Sequence, residues 1–335
     1  MFDNVPAWAK SKADLAVDLG TANTIVVARS AGVVFEQSTV CCFDDDIDAA
    51  AHLYTAGCAA KRLIGREVKQ LRTVRPLRNG VLVDVAATRE LLKFAIKPTR
   101  ARGRLSRPRA IIGVPSDATQ AERRALTRAA YDAGLAEPLL IAEPILAAIG
   151  LGMDVEAPRG RMIVDCGAGT TDVVVLSLGG ICASKSVRGG GDGVDAALLQ
   201  HLHMRRHFQI GHSAAEVLKM KLSEALALGT ATHVEVRGLD TKSGLPRLLE
   251  LEVGELSPIL EEYAAQVTAV VRAAFAKTPP DLAIDILDDG IALTGGAALT
   301  ALVAERIADS TGLRVYRADD PRKAVSKGLQ VMLDD

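Results

Sequence analysis

Short apolar runs separated by glycine-rich polar turns set the pattern of this chain. Leu15 to Val17 is apolar, Asp18-Leu19-Gly20-Thr21-Ala22-Asn23-Thr24 is a polar turn, Ile25 to Ala28 is apolar, and Ala31-Gly32 leads into Val33 to Phe35. Runs of this length, punctuated by Gly, Asn and Asp, predict a β-hairpin followed by a third strand. The same pattern returns later. Met162 to Val164 leads through Asp165-Cys166-Gly167-Ala168-Gly169-Thr170-Thr171-Asp172 to Val173–Leu176, and Gly179-Gly180 turns into Ile181 to Ala183. Asp18 matches Asp165, Gly20 matches Gly167 and Thr24 matches Thr171 at one common offset.

A second echo follows each hairpin. The strand Ala110 to Val114 passes through Pro115-Ser116-Asp117 into a helix, with Thr119 as its cap and Glu122 three residues on. That helix ends near Gly134-Leu135, the strand Leu139 to Ala142 comes next, and Glu143-Pro144 opens another helix. Downstream the order recurs: strand Ile291 to Leu293, turn Thr294-Gly295-Gly296, a helix to Gly312, strand Arg314 to Tyr316, and a final helix after Asp320-Pro321. Each half therefore reads β-β-β-α-β-α, one long duplication. Two insertions break the echo. One holds Asp44-Asp45-Asp46 and a predicted basic helix near Lys61 to Arg72. The other holds predicted helices His201 to Phe208 and Ala214 to Leu226, with strands near Thr232 to Val236 and Leu248 to Val253. The expected units are residues 1–37 with 76–150, an insert 38–75, residues 151–192 with 255–335, and an insert 193–254.

Composition narrows the class. The chain has 335 residues, 49% hydrophobic and 24% charged, which suits an α/β protein with a large core. A net charge of -1 provides no overall attraction to nucleic acid, and none is expected as a partner. Five cysteines without C-x-x-C spacing argue for a reducing, cytoplasmic setting. The longest apolar stretch, Pro138 to Met153, is interrupted by Glu143-Pro144 and is too short to span a bilayer.

The repeated turn carries the chemistry. Successive glycine-turn N–H groups form an anion nest, and acids beside such a nest would repel phosphate unless a divalent cation lay between them. Two such turns at one cleft would grip a Mg-bound polyphosphate from both sides. Taken singly, either turn is equally compatible with an ordinary hairpin.

In order along the chain, these segments resemble the MreB family of bacterial actins. Asp18 to Thr24 and Asp165 to Asp172 look like its two phosphate loops, and Arg75-Pro76-Leu77-Arg78-Asn79-Gly80-Val81 resembles its Arg-Pro-…-Gly-Val segment. Val114-Pro115, Ala118 to Arg124 and the Glu143-Pro144 step also match. Gly189-Gly190-Gly191-Asp192, Glu216-Val217-Leu218-Lys219 and Thr294-Gly295-Gly296-Ala297-Ala298-Leu299 resemble the segments around the adenosine. The resemblance implies an actin-like ATPase fold: duplicated ribonuclease-H-like domains, IA and IIA, face a nucleotide cleft, and the inserts are subdomains IB and IIB. It implies a cytoplasmic, filament-forming protein that polymerises with itself, acts in cell shape or intracellular organisation, and hydrolyses ATP slowly with assembly.

The same resemblance assigns roles. Asp18 and Asp165 hold Mg through water. Gly20, Thr21, Ala22 and Asn23, with Gly167, Ala168, Gly169, Thr170 and Thr171, contact the phosphates. Gly190, Gly191, Asp192, Glu216, Lys219, Gly295, Gly296 and Ala297 surround the nucleoside. Glu143 orients the attacking water and Thr170 assists, with Asp165 beside them. As a helix-start acid followed by Pro144, Glu143 also has a local reason to be there. Three departures stand out: Ala168 and Ala297 replace glycines, and Asp172 replaces the usual Glu. The Gly-Ala-Gly-Thr-Thr-Asp form also occurs in MamK, the magnetosome actin.

Membrane contact has two sequence candidates. One is Phe2 with Trp8, since such residues suit the headgroup boundary. The other is Lys97 to Arg109, rich in arginine and free of acids, in the region where MreB carries an apolar membrane-inserting loop. Basic residues near an anionic leaflet contribute about 1 kcal/mol each; a solvated loop accounts for the run equally well. His201, His203 and His207 lack the spacing of a metal site, and Asp44-Asp45-Asp46 lacks that of a calcium loop. The alternative within the superfamily is a non-polymerising ATPase, either a chaperone-type switch or a small-molecule kinase.

Overall fold

The computed structural model describes residues 13–29, 31–45, 52–100, 107–136, 138–229 and 231–334; Phe2, Trp8, Asp46 and residues 101–106 of the basic stretch lie outside them. The first half opens with strands β1 (Leu15–Leu19), β2 (Asn23–Ala28) and β3 (Gly32–Ser38). An insert of β4 (Cys41–Asp44), β5 (His52–Ala56), helix α1 (Cys58–Lys61) and β6 (Leu71–Val74) follows, then a short hairpin of β7 (Leu77–Arg78) and β8 (Val81–Leu82). Helix α2 (Val85–Arg100), β9 (Ala110–Val114), α3 (Gln120–Asp132), β10 (Leu139–Ala142) and α4 (Glu143–Gly150) complete it.

The second half repeats the plan with β11 (Arg161–Cys166), β12 (Thr170–Ser177) and β13 (Gly180–Arg188). Its insert comprises α5 (Gly190–Arg206), β14 (Phe208–Gln209), α6 (His212–Leu228), β15 (His233–Asp240) and β16 (Leu245–Glu252). Then come α7 (Val253–Phe275), α8 (Pro280–Asp289), β17 (Ile291–Thr294), α9 (Val303–Thr311), β18 (Val315–Arg317) and α10 (Ala324–Asp334).

The predicted duplication is visible in the sheets. One runs β3-β2-β1-β9-β10 and the other β13-β12-β11-β17-β18. In each, the leading hairpin is antiparallel, while its first strand pairs in parallel with the strand after the crossover. Both polar turns therefore emerge at the carboxyl end of a central strand, where open α/β sheets bind ligands. Each insert adds a three-stranded sheet, β5-β4-β6 and β14-β15-β16. Thr119 caps α3 with Glu122 in a reciprocal capping box, as its spacing predicts.

One buried cluster belongs to both halves. It joins Ala16, Ile25, Val27 and Ile111 to Ile163, Val174 and Ala292, with α4 and α10 between them. These helices cross so closely that a Cβ on Gly150 would strike the Ala324 carbonyl, and one on Gly328 would strike the Leu146 carbonyl.

Four local expectations need correction. The basic helix predicted over Lys61 to Arg72 is only the short α1, because Gly65 takes a left-handed turn (φ 73°) and Leu71–Val74 pairs with β4 instead. Helix α5 begins eleven residues before the predicted His201, at Gly190, and stops at left-handed His207. Lys97 belongs to α2 rather than a loop; buried Leu91, Leu92, Ala95 and Ile96 form an apolar stripe that carries the helix past Pro98. Helices α7 and α8 fill a stretch for which no element was predicted.

Candidate functional site

The turn after β11 is shaped by what holds its carbonyls. Gly189 N donates to Gly169 O at 2.8 Å, Gly191 N to Gly167 O at 3.1 Å and Asp192 N to Ala168 O at 2.8 Å. The start of α5 thus pins three successive carbonyls, and the intervening amides point the other way. Among the described residues, the N–H groups of Ala168 and Gly169 have no backbone acceptor, although Gly169 is buried. A buried, unpaired donor needs a partner, and adjacent outward N–H groups form an anion nest.

The turn after β1 is built alike with a different part. Thr39 Oγ1 donates to Gly20 O at 2.7 Å, Thr39 N donates to Ala22 O at 2.9 Å, and Thr39 Oγ1 lies 2.9 Å from Thr24 Oγ1. Thr39 does for the first turn what residues 189–192 do for the second. Sequence reasoning missed it, because a lone Thr beyond β3 carries no local signal.

The two turns meet. A Cβ on Gly169 would strike Thr21 Oγ1 and crowd Gly80 N, and Gly80 N itself donates to Thr21 Oγ1 at 3.0 Å. Behind the turns stand Asp18, Asp165 and Glu143. Burial, reinforced by Asp165, pushes the Asp18 carboxyl up to about 7. Burial and then Asp172 push Asp165 to about 7, against a 3.1 Å hydrogen bond from Thr294 Oγ1. Glu143 is held well above the usual carboxylate range by burial, then by Asp18, Asp165, Asp172 and Asp117. Asp165 raises Asp18, and both raise Glu143, so the three acids form a donor set suited to a cation. Among the described residues, no group of three His, Cys, Asp or Glu side chains is placed to hold a bare metal ion. Two carboxylates acting through water fit hydrated Mg²⁺, which keeps most of its own waters.

The residues expected around the nucleoside gather on the second half. Lys219 Nζ donates to Gly191 O at 2.9 Å and pairs with Asp195 at 2.9 Å. A Cβ on Gly191 would sit 3.5 Å from Ala297 Cβ, and one on Gly295 would lie 2.5 Å from Asp165 Oδ1. Glu216, one helical turn before Lys219, reaches across to Lys61 of the first insert at 2.8 Å. Gly190 and Asp192 lie in the first turn of α5, and Gly296 opens a short 3-10 turn, Gly296–Leu299.

Other candidates from the sequence lie away from this site. His201 is paired with Glu255, which also binds Arg206. Asp45 pairs with Arg72 at 2.7 Å. Arg107 stacks on Tyr131 at 4.3 Å. Among the described residues, no helix is long and apolar enough to cross a membrane. Ser116, Ser186 and Arg188, which sequence reasoning assigned no role, bind between the halves beside Asp172.

Comparison with known proteins bears on the whole chain. The family model described as MreB/Mbl protein matches residues 12–335. The cell shape-determining protein Mbl of Bacillus subtilis (strain 168) is 34% identical over 322 residues, 96% of each chain. The cell shape-determining protein MreB of Escherichia coli (strain K12) is 37% identical over 317 residues, 94% of this chain and 91% of that one. Among solved structures, MreB5 of Spiroplasma citri bound to ADP superposes with a TM-score of 0.88 at 28% identity, over 96% of both chains. The same protein bound to AMPPNP gives 0.86 at 28% identity, over 95% of this chain and 94% of that one. A MamK double helical filament shares the fold, with a TM-score of 0.77 at 22% identity over 96% of this chain and 98% of that one.

Proposed function

The chain belongs to the MreB/Mbl family of actin-like, cell shape-determining proteins, and from that premise we propose that it binds Mg-ATP between its two halves, assembles into filaments with itself, and hydrolyses ATP with assembly. The observation that carries this reading is the apposition of two carbonyl-pinned turns, the second with amides at Ala168 and Gly169 that are free among the described residues, each with an acid at the end of its strand. The solved relatives holding ADP and AMPPNP support a nucleotide in that place.

In this reading Ala168 and Gly169 N–H groups, with Thr21, Ala22 and Asn23 opposite, bind phosphate oxygens. Asp18 and Asp165 would hold hydrated Mg²⁺ through its waters. Magnesium, when bound, neutralises polyphosphate charge and lowers the pKa of the acids around it. The Glu143 carboxylate orients the attacking water, and the Thr170 hydroxyl aligns that water from the other half. The protein's part is positioning and charge, the terms that dominate phosphoryl transfer. Glu216, Lys219, Gly191 and Ala297 border the nucleoside. The setting is cytoplasmic, and Lys97, Arg107 and Arg109 are available for peripheral contact with anionic lipid.

The test is sedimentation and phosphate release on one sample with Mg-ATP, with Mg-ADP and with EDTA, with and without anionic liposomes. Assembly and turnover that require Mg-ATP support the proposal. A chain that turns over ATP yet stays monomeric well above micromolar concentration is instead a non-polymerising ATPase of this fold.

A further inference from the structure

The two residues assigned to hydrolysis come from different halves, Glu143 from α4 and Thr170 from the start of β12. Their separation is therefore fixed only by what ties the halves together nearby. The strand β12 supplies that tie. Side chains two apart on a strand share a face, so Thr170 and Asp172 point the same way. Register pairs Thr170 with Arg188 and Asp172 with Ser186 on β13. This four-residue polar face is turned toward the first half.

Each member is engaged. Asp172, 2% exposed, accepts at Oδ1 from Ser116 Oγ at 2.5 Å and from Ser186 Oγ at 2.6 Å. Distances in this range mark charge-assisted O–H···O⁻ bonds. Ser186 belongs to the second half and Ser116 to the first, in the loop that leaves β9. Arg188 reaches the same loop at Asp117 (3.3 Å) and also the Asn79 carbonyl at 3.3 Å. The Asn79-Gly80 turn is the one against which Gly169 and Thr170 pack. At the other end of the tie, Gly113 of β9 bears on Glu143, whose Cγ would lie 3.2 Å from a Cβ placed there. One chain of contacts thus runs from Thr170 through Asp172 and Ser116 along β9 to Glu143. Among the described residues, no cation pairs with Asp172, so hydroxyls alone stabilise this buried carboxylate. Such an arrangement is sensitive to small displacements and contributes more to geometry than to stability.

We propose that Asp172 is a positioning residue that, by gripping Ser116 across the domain boundary, holds Thr170 at its working distance from Glu143. The proposal rests on the ATPase reading above.

The experiment compares the full-length wild type with Ser116→Ala, Asp172→Ala and the double variant; Ala is used because an Asn amide oxygen would still accept from Ser116. Single-turnover cleavage of ATP is measured beside equilibrium binding of a fluorescent ATP analogue, and amide exchange is measured without nucleotide. Each single variant should slow cleavage by about tenfold to hundredfold while changing analogue affinity by less than about threefold. The double variant should be no slower than the worse single one, because both break one contact. Exchange should rise in both 111–118 and 170–174 in either variant. Cleavage at the wild-type rate in Asp172→Ala overturns the proposal. So does equal loss of rate and affinity, or a double variant whose effects multiply. If wild type binds nucleotide but never cleaves it, the ATPase reading fails and exchange alone decides the tie: a rise confined to the mutated segment overturns it.

Discussion

Lys61 Nζ lies 2.8 Å from Glu216 Oε2, joining α1 of the first insert to α6 of the second across the cleft. Glu216 lies one helical turn before Lys219, which donates to the Gly191 carbonyl at 2.9 Å. In the proposed reading, where Glu216 and Lys219 border the nucleoside, a bridge in this place acts as a latch on the site. Both side chains are partly exposed (32% and 44%), so the contact is worth at most about 1 kcal/mol. Lys61→Ala should therefore speed release of a fluorescent ADP by up to about fivefold, since about 1.4 kcal/mol is tenfold. Raising the salt concentration should reproduce part of the effect in wild type. A stopped-flow chase with unlabelled nucleotide measures both, and release unchanged by either treatment would remove the latch.

Glu143→Gln should leave nucleotide binding intact and slow cleavage by about a hundredfold to ten-thousandfold, the usual contribution of general-base catalysis. The amide keeps the size of the side chain at the start of α4, where Pro144 also supports the helix. Rapid-quench measurement of bound ATP against ADP separates the two effects. Weakened binding with unchanged cleavage would show that Glu143 serves the helix start instead.

The buried acids predict an unusual pH profile for the nucleotide-free protein. Asp18 and Asp165 both rise to about 7 on folding, from an ordinary value of 3.8. Between those values the native state binds more protons than the unfolded chain. Stability from this source is present in full below about pH 4 and is lost as pH rises through about 7. In EDTA, the urea midpoint should fall over that interval. With Mg-ADP, the cation favours the ionised acids, and the fall should flatten or reverse. Asp18→Asn should weaken the slope in EDTA. A midpoint that rises with pH in EDTA would contradict this account of the site.

Much of this site was legible because turn chemistry is local. The match of Asp18-x-Gly to Asp165-x-Gly needs only a few adjacent residues, and the halves fold around it as the repeat implies. The Thr119 and Glu122 capping box was equally local. Thr39 was not legible, because what makes it matter is its approach to Gly20 and Ala22 from another strand. Ser116, Ser186 and Arg188 were missed for the same reason: their partners lie 56, 14 and 109 residues away. The basic run near Lys61 failed in the opposite direction. Its composition suits a helix, but pairing of Leu71–Val74 with β4 outweighs that preference.

The crossing of α4 and α10 yields the last prediction. Gly150 and Gly328 let two backbones meet, since a Cβ on either would run into a carbonyl of the facing helix. Carbonyls on a helix cannot swing aside as a flexible side chain can. The helices must separate, and the shared cluster containing Ile163, Val174 and Leu329 must open with them. Overpacking of a close core costs typically about 1–3 kcal/mol. Gly328→Ala should lose at least that much despite the better helix propensity of Ala, which favours the substitution by about 1 kcal/mol. Gly193→Ala is the control: it lies in α5, and nothing stands within 4 Å of its Cβ position. That variant should be neutral or slightly stabilised. Urea unfolding of the three proteins reads the difference. Because α4 also carries Glu143, Gly328→Ala should slow ATP cleavage as well, whereas Gly193→Ala should not. Equal midpoints for the two variants would mean that the halves are not held together by this crossing.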